Sequence, residues 1–281
     1  MIIAQITDLH IGFAGKGKPC TNVERLTTVA DTINKMLKKP DVIIATGDLV
    51  ESGEIWAYHE LKKAIGKFDY PMYFALGNHD CRENFCSVFT NTQIHDGFVQ
   101  YTIEDYPVRI IVIDTLQEGM HGGSFCQNRQ EWLSTELAKH PEKPTVIAMH
   151  HPPIETGIDW LTAHADDEWV KSLQRIIRAN RQVIHIMAGH VHRSIYKTFA
   201  GTSISVSQAI APQAKLELAS INPQEPDGRA MFVEAQPGFS LHYWDGDSIT
   251  THSGQAPCGN VIFHFDDEHA PFIRHAMDIK P

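Results

Sequence analysis

The sequence predicts an α/β fold whose functional groups gather on one rim of a sheet. Five apolar runs of strand length carry that reading: Ile2 to Ile6, Val42 to Ala45, Met72 to Leu76, Val146 to Met149 and Ile184 to Ala188. Helical periodicity fills most of the intervals between them, as in strand–helix–strand units. Each run leads straight into a segment rich in Asp, Asn or His. Strands laid side by side with helices between them present their C-terminal ends on one edge, where open α/β sheets hold their ligands.

Taken in order, the first strand delivers Asp8-Leu9-His10. After a loop over 11–20, Thr21 with Glu24 reads as a capping box, and Leu26, Val29, Ile33 and Leu37 continue at helical spacing. The second strand ends at Gly47-Asp48 and a helix is expected over 54–65. The third runs into Gly77-Asn78-His79-Asp80 and a short helix over 83–89. Two strands without such motifs follow, over 99–103 and 109–113, and then a helix marked by Asn128 and Glu131. The fourth motif strand reaches His150-His151-Pro152-Pro153, and a loop carrying Asp159, Trp160 and His164 leads to a helix over 167–179. The fifth ends at Gly189-His190-Val191-His192. Beyond Ser194 the helical pattern disappears: Ser203 to Val206, Ser240 to Trp244 and Val261 to Phe265 alternate as antiparallel strands, with a turn at Asp245-Gly246-Asp247. The polar stretch from 212 to 237, punctuated by prolines, has the length of a lid or partner surface.

A chain of 281 residues can form one large domain, with or without a small appendage. Its net charge of -10 argues against a surface built for a long nucleic acid, which needs a basic face. No basic segment precedes the first apolar run, so that run reads as a strand and not as a signal peptide or membrane span. Five cysteines without Cys-x-x-Cys spacing read as reduced thiols, and a cytoplasmic setting is expected.

Carboxylate, amide and imidazole donors suit Mn, Fe, Co or Zn and not a thiolate site. Asp8, His10 and His192 can share one ion. Asn78, His150 and His190 can hold a second, with Asp48 bridging the two. Such a pair clamps both oxygens of an in-line phosphoryl displacement and activates a hydroxide for attack near neutral pH. His79, next to a ligand, is placed to donate to a phosphoryl or leaving oxygen, and Asp80 to orient its ring. The expected catalytic pair is therefore His79 and Asp80.

This ordered set resembles the calcineurin-like metallophosphoesterase superfamily over roughly residues 1–200. In detail it is most similar to class III cyclic-nucleotide phosphodiesterases and bacterial glycerophosphodiesterases, a likeness that includes His150-His151-Pro152-Pro153 and the stretch from Pro237 to His242. The resemblance implies a four-layer α-β-β-α sandwich with a C-terminal antiparallel β cap segment. It divides the chain into a catalytic core over 1–200 and a β-rich segment over 201–281 that completes the domain and serves dimerisation. It implies one metal on Asp8, His10, Asp48 and His192 and the other on Asp48, Asn78, His150 and His190, with His151 outside the ligand set. The implied function is hydrolysis of a small phosphodiester, a 3',5'-cyclic nucleotide of the cAMP type or a glycerophosphodiester, by an enzyme that assembles as a homo-oligomer and does not engage a membrane. A broad phosphomonoesterase or nuclease, or a non-catalytic scaffold on the same fold, stands as the alternative.

Overall fold

A computed structural model describes residues 1–278. In chain order the strands and helices are β1 (Ile2–Ile6), α1 (Thr21–Asn34), β2 (Val42–Thr46), α2 (Ile55–Ile65), β3 (Met72–Ala75), α3 (Arg82–Val88), β4 (Tyr101–Ile103), β5 (Arg109–Val112), α4 (Gln127–Lys139), β6 (Thr145–Ala148), α5 (Glu168–Ala179), β7 (Val183–Ala188), β8 (Ile195–Phe199), β9 (Thr202–Val206), β10 (Gln213–Ala214), β11 (Phe232–Val233), β12 (Gly238–Trp244), β13 (Ile249–Gln255) and α6 (Ala270–Ala276). A 3-10 turn over Asp159–Leu161 precedes α5.

Two mixed sheets carry the molecule. The first has the order β13-β12-β1-β2-β3 and the second the order β4-β5-β6-β7-β9-β8. β1, β2 and β3 run parallel, as do β5, β6, β7 and β9, while antiparallel strands close three of the four edges and parallel β3 forms the other. All five residues of β1 and of β2 are buried, and all four of β5 and β6, which is the pattern of strands covered on both faces. α1 and α2 pack with the first sheet through Leu26, Val29, Ile33 and Leu61. α4 and α5 cover the second through Leu133, Leu137, Leu173 and Ile177. The result is the expected four-layer sandwich.

Between the layers the two sheets are joined by a polar thread within the apolar core. Gln5 on β1 donates to Thr46 Oγ1 and to the Ala188 carbonyl, both at 2.8 Å. Its oxygen contacts His242 Nε2 at 3.0 Å. His242 on β12 in turn lies ring to ring with His185 on β7, their centroids 5.1 Å apart. This thread fixes the register of β1 and β12 against β7. The C-terminal ends of the motif strands therefore meet at one place.

Several local details differ from the sequence reading. α1 begins at Thr21 itself with Cys20 as its N-cap and no side-chain cap bond, and α4 begins at Gln127 behind Cys126 in the same way. Neither expected side-chain cap forms, because the cap position falls one or more residues earlier. α1 stops at Asn34, which leaves Leu37 fully exposed instead of on its buried face. Val261 to Phe265 is no strand. The partner of β12 is β13, directly across the Asp245–Ser248 turn, while the later segment is exposed and followed by α6. The stretch from 200 onward contributes β9 to one sheet and β12 and β13 to the other. Among the described residues no helix is long and apolar enough to cross a membrane.

Candidate metal centre

Beyond β1 and β2 the chain continues as a short ladder in which the amides of Asp8, Leu9 and His10 bond the carbonyls of Gly47 and Asp48. The ladder carries its residues through unusual backbone conformations. Asp8, His10, Asp48, His190 and His192 all have positive φ, between 45° and 72°. Such conformations are uncommon outside glycine, with Asp and His among the residues that tolerate them, and strain of this kind collects at functional sites. The left-handed residues beyond β1, β2 and β7 turn their side chains away from the strand direction, which lets donors from separate strands converge.

Seven side chains converge in two groups. In the first, His192 Nε2 lies 3.4 Å from Asp8 Oδ1 and 3.2 Å from His10 Nε2, and His10 Nε2 lies 3.6 Å from Asp48 Oδ2. In the second, His150 Nε2 lies 3.3 Å from Asp48 Oδ2 and 3.2 Å from Asn78 Oδ1, and Asn78 Oδ1 lies 3.0 Å from His190 Nδ1. Asp48 is common to both. Separations of roughly 3 to 3.5 Å are those between donors that share one ion at bond lengths of about 2.1 Å.

The outer nitrogens of three of the four histidines are already committed. His10 Nδ1 pairs with Glu51 Oε2 at 2.7 Å, His150 Nδ1 donates to the Thr46 carbonyl at 2.8 Å, and His192 Nδ1 donates to the Pro212 carbonyl at 2.7 Å. Each bond fixes a tautomer in which Nε2 keeps its lone pair for a cation, the usual arrangement around a bound metal. The electrostatics agree. Burial alone would push Asp48 up, but its interactions with the surrounding imidazoles, first the attraction and hydrogen bond of His150, outweigh it and hold the carboxyl well below its ordinary range. Burial likewise opposes a charge on His150, yet Asp48 and Asp8 draw its pKa up to about 9. The negative field that draws a second proton to His150 would favour a metal cation at Nε2 in that proton's place. The donor set fits two divalent ions.

Glycine is required at two of the ligand turns by close approach. A Cβ on Gly77 would come 2.7 Å from His150 Nε2 and nearer still to the Asp48 carboxylate and amide. One on Gly189 would meet Thr7 Oγ1 and come 3.0 Å from Asp8 Oδ2. These contacts explain why Gly-Asn and Gly-His open the third and fifth motifs.

His79 sits beside this centre and lines the cavity above it. Its amide donates to Asp48 Oδ1 at 2.9 Å and its ring Nδ1 donates to the Glu51 carbonyl at 2.7 Å, so Nε2 is the nitrogen left for substrate. The orienting group expected from Asp80 is thus supplied by the Glu51 carbonyl. Asp80 is buried elsewhere, accepting from Gly77 N, Leu49 N and Tyr58 OH at 2.9, 3.2 and 3.0 Å, and it ties the Asp48 turn to the Asn78 turn. Desolvation and the charge of Asp48 push its carboxyl up to about 7. The adjacent residues diverge because the chain turns between them.

His151 is buried behind the second group, its Nδ1 bonded to Thr115 Oγ1 at 2.8 Å. Burial and the neighbouring charges of His150 and His190 hold its pKa well below the ordinary histidine value. Asp114, for which the sequence offered no role, accepts from Arg82 at 2.8 and 2.9 Å and from the amides of Val99 and Leu116. Among the loop residues, Trp160 lines the cavity, Asp159 accepts from the Ile221 amide at 3.1 Å, and His164 is exposed. Sequence reasoning missed Glu51, which serves His10 and His79 together, and His121, whose ring lies 4.7 Å from that of His190. An acidic residue three positions past Asp48 was the signal for Glu51; nothing local marked His121.

The likeness to known proteins runs along the whole chain. The calcineurin-like phosphoesterase family profile matches residues 1–194. A probable glycerophosphodiester phosphodiesterase, GpdQ, of Arcobacter nitrofigilis is 32% identical over 265 residues, covering 90% of this chain and 92% of its own length. A cAMP/cGMP dual specificity phosphodiesterase of Mycobacterium tuberculosis is 31% identical over 226 residues, covering 78% of this chain and 70% of its own. Among solved structures, a dimetal phosphatase from Danio rerio superposes with a TM-score of 0.67 at 13% identity, over 92% of this chain and 97% of that one, a likeness of fold. With the profile spanning every motif strand and both donor groups, this chain belongs to the calcineurin-like phosphoesterase family.

Proposed function

We propose that the protein is a binuclear metal-dependent phosphodiesterase acting on small diesters, a glycerophosphodiester or a 3',5'-cyclic nucleotide. The observation that carries this reading is the complete donor set: seven side chains in two groups that share Asp48, beneath a cavity of about 340 Å³. In this reading Asp8, His10, Asp48 and His192 hold one ion, and Asp48, Asn78, His150 and His190 the other. The relatives named as glycerophosphodiester and cyclic-nucleotide phosphodiesterases support the substrate class. A non-catalytic scaffold would have no use for strained, charge-coupled ligands, and the full set argues against it.

Two ions at these groups supply Lewis acidity and a water of lowered pKa at the phosphorus. The chain's own contribution is position. Asp48, Glu51 and the turns at Gly77 and Gly189 hold the donors in place, and Asp80 locks two of those turns together. His79, held through its amide and Nδ1, presents Nε2 toward the diester; in the imidazolium form, with Nδ1–H kept on the Glu51 carbonyl, it can pass its Nε2 proton to the departing alkoxide and is left as the neutral Nδ1–H ring. Glu51 sets both the His10 tautomer and, through its carbonyl, the His79 ring. Mn, Fe, Zn or Co meets the donor chemistry, and a reducing, cytoplasmic setting and a homo-oligomer belong to the same reading.

The test compares 3',5'-cyclic AMP, glycerophosphoethanolamine and a simple phosphomonoester after loading with Mn or Fe. Turnover of a diester at least tenfold above the monoester is expected, with metal content near two ions per chain. Preference for the monoester, or full diester turnover by Asn78→Ala, overturns the reading.

A further inference from the structure

The cavity over the metal centre has an aromatic wall that the chemistry at phosphorus does not require. Trp160, from the turn before α5, and Phe232, on β11, meet edge to face with centroids 5.3 Å apart at 73°. Phe232 also lies 5.4 Å from the ring of the proposed ligand His192, at 69°. Phe13, from the loop after β1, lines the same cavity and is largely exposed. Three aromatic side chains from three separate segments thus border the opening above the proposed metal donors.

These rings are held, not loose. Phe232 is fixed by the β10–β11 ladder, in which Ala214 pairs with Phe232 and Gln213 with Val233. Arg193 donates to the Ala214 carbonyl at 2.8 Å, tying that ladder to the loop that carries His192. Trp160 sits in a turn closed by Thr156, whose hydroxyl donates to the Leu161 carbonyl at 3.0 Å. Asp159 accepts from the Ile221 amide and so joins the two loops. Phe232 nevertheless stays half exposed at 49%. A ring left partly in water on a braced support, beside a catalytic centre, is what a stacking platform needs.

We infer that Trp160 and Phe232 form a subsite for a planar ring attached to the diester, which makes the base of a 3',5'-cyclic nucleotide the feature this protein selects. The inference rests on the phosphodiesterase reading and narrows it. The phosphate lies over the metal donors and the base lies against the aromatic wall. A glycerophosphodiester has no ring to fill that wall. Quaternary ammonium headgroups also favour aromatic faces, but the best such sites surround the cation with several rings. Here two rings meet as a corner, which a flat ring matches by stacking on one face against the edge of the other.

The test measures kcat and KM of the metal-loaded protein for 3',5'-cyclic AMP, for the base-less ribose 3',5'-cyclic phosphate and for glycerophosphocholine. Phe232→Ala and Trp160→Ala should each lower the selectivity for cyclic AMP over the base-less cyclic phosphate about 5- to 150-fold, chiefly through KM, the range that one stacked base commands. Phe232→Trp should restore it and Phe232→Leu should not. Equal losses on the ring-bearing and base-less diesters would overturn the subsite, because the loops would then only shape the opening. A selective loss on glycerophosphocholine would overturn it in favour of a cation site. A parent protein that hydrolyses no diester defeats the phosphodiesterase reading itself. One that hydrolyses all three without preferring the base defeats only this inference.

Discussion

Replacing Gly77 by alanine tests the architecture of the centre without removing any proposed ligand. The added methyl would stand 2.7 Å from His150 Nε2, whereas Cβ atoms keep at least 3.0 Å from their neighbours, so that nitrogen must retreat by at least 0.3 Å. The approach to Asp48 is tighter still and meets both its carboxylate and its amide, the group that joins the two halves of the site. Relief by a moving side-chain end is blocked. Asp48 Oδ1 already receives the His79 amide, and His150 is pinned through Nδ1 to the Thr46 carbonyl. Overpacking of this kind costs about 1–3 kcal/mol of stability, leaving the chain folded. A misplacement approaching 1 Å at Asp48, the proposed shared ligand, costs on the order of 100-fold in turnover. Metal content by plasma mass spectrometry should fall from two ions per chain toward one or none, and kcat/KM for the preferred diester should fall about 100-fold. Far-UV circular dichroism should be unchanged. A Gly77→Ala protein that keeps two ions and stays within threefold of the parent kcat/KM would refute the claim that this glycine exists for close approach.

Other perturbations read different parts of the same structure. Glu51→Gln keeps the side-chain length but removes the carboxylate that holds His10 Nδ1 at 2.7 Å, and should weaken metal affinity about 10- to 100-fold in a chelator competition. An unchanged affinity would mean that the tautomer of His10 is set elsewhere. Asp114→Ala removes the nearer of the two carboxylates paired with Arg82 and leaves the guanidinium of Arg129, 4% exposed, near no other carboxylate among the described residues. Urea unfolding should report a loss of about 3–5 kcal/mol, and a loss below 1 kcal/mol would contradict the structural role assigned to this acid. The buried His185 gives a pH dependence. Burial lowers its pKa to about 4, so below the ordinary 6.5 the unfolded chain binds a proton that the folded chain refuses. Stability attributable to His185 is therefore complete above pH 6.5 and is lost as pH falls toward 4, by about 3 kcal/mol in total. Comparison of urea midpoints at pH 7 and pH 4.5 should show a shallower decline for His185→Gln than for the parent, and parallel declines would remove His185 as a cause.

What the sequence made legible was what is local. The five motif strands are near-continuous apolar runs, interrupted by Gln5 in β1 and His185 in β7, because helices and a second sheet cover both faces, and a pattern of that kind can be read residue by residue. The donors follow the strands directly, so Asp8, His10, Asp48, Asn78, His150, His190 and His192 can be picked out before their meeting is seen. The missing parts are those that a local pattern cannot carry. The tautomer of His150 is set by the Thr46 carbonyl and that of His192 by the Pro212 carbonyl, and a backbone group has no signature in the side-chain code. Asp80 read as the partner of His79 because the two are neighbours in the chain. Yet the turn that brings Asn78 to His150 and His190 sends the Asp80 carboxylate inward to Leu49, Gly77 and Tyr58. Periodicity likewise placed a strand over 261–265, a segment that pairs with neither sheet.

The positive φ values connect these observations. Five of the seven convergent side chains stand in a left-handed conformation, each at a cost of about 1–3 kcal/mol that an ordinary loop would shed by relaxing. They cannot relax separately, because the amides of Leu9 and His10 bond the Asp48 carbonyl and the His190 amide bonds the Asp8 carboxylate at 3.0 Å. The strain is shared between the two sheets. A donor lost from one strand end therefore frees backbone at another, and substitutions in this ring should be strongly non-additive. Asp8→Asn combined with His190→Gln should lose far less stability and metal affinity than the sum of the single variants. Additive losses would mean that the seven residues are held one by one, by their own strands, and that the ladder beyond β1 and β2 is incidental.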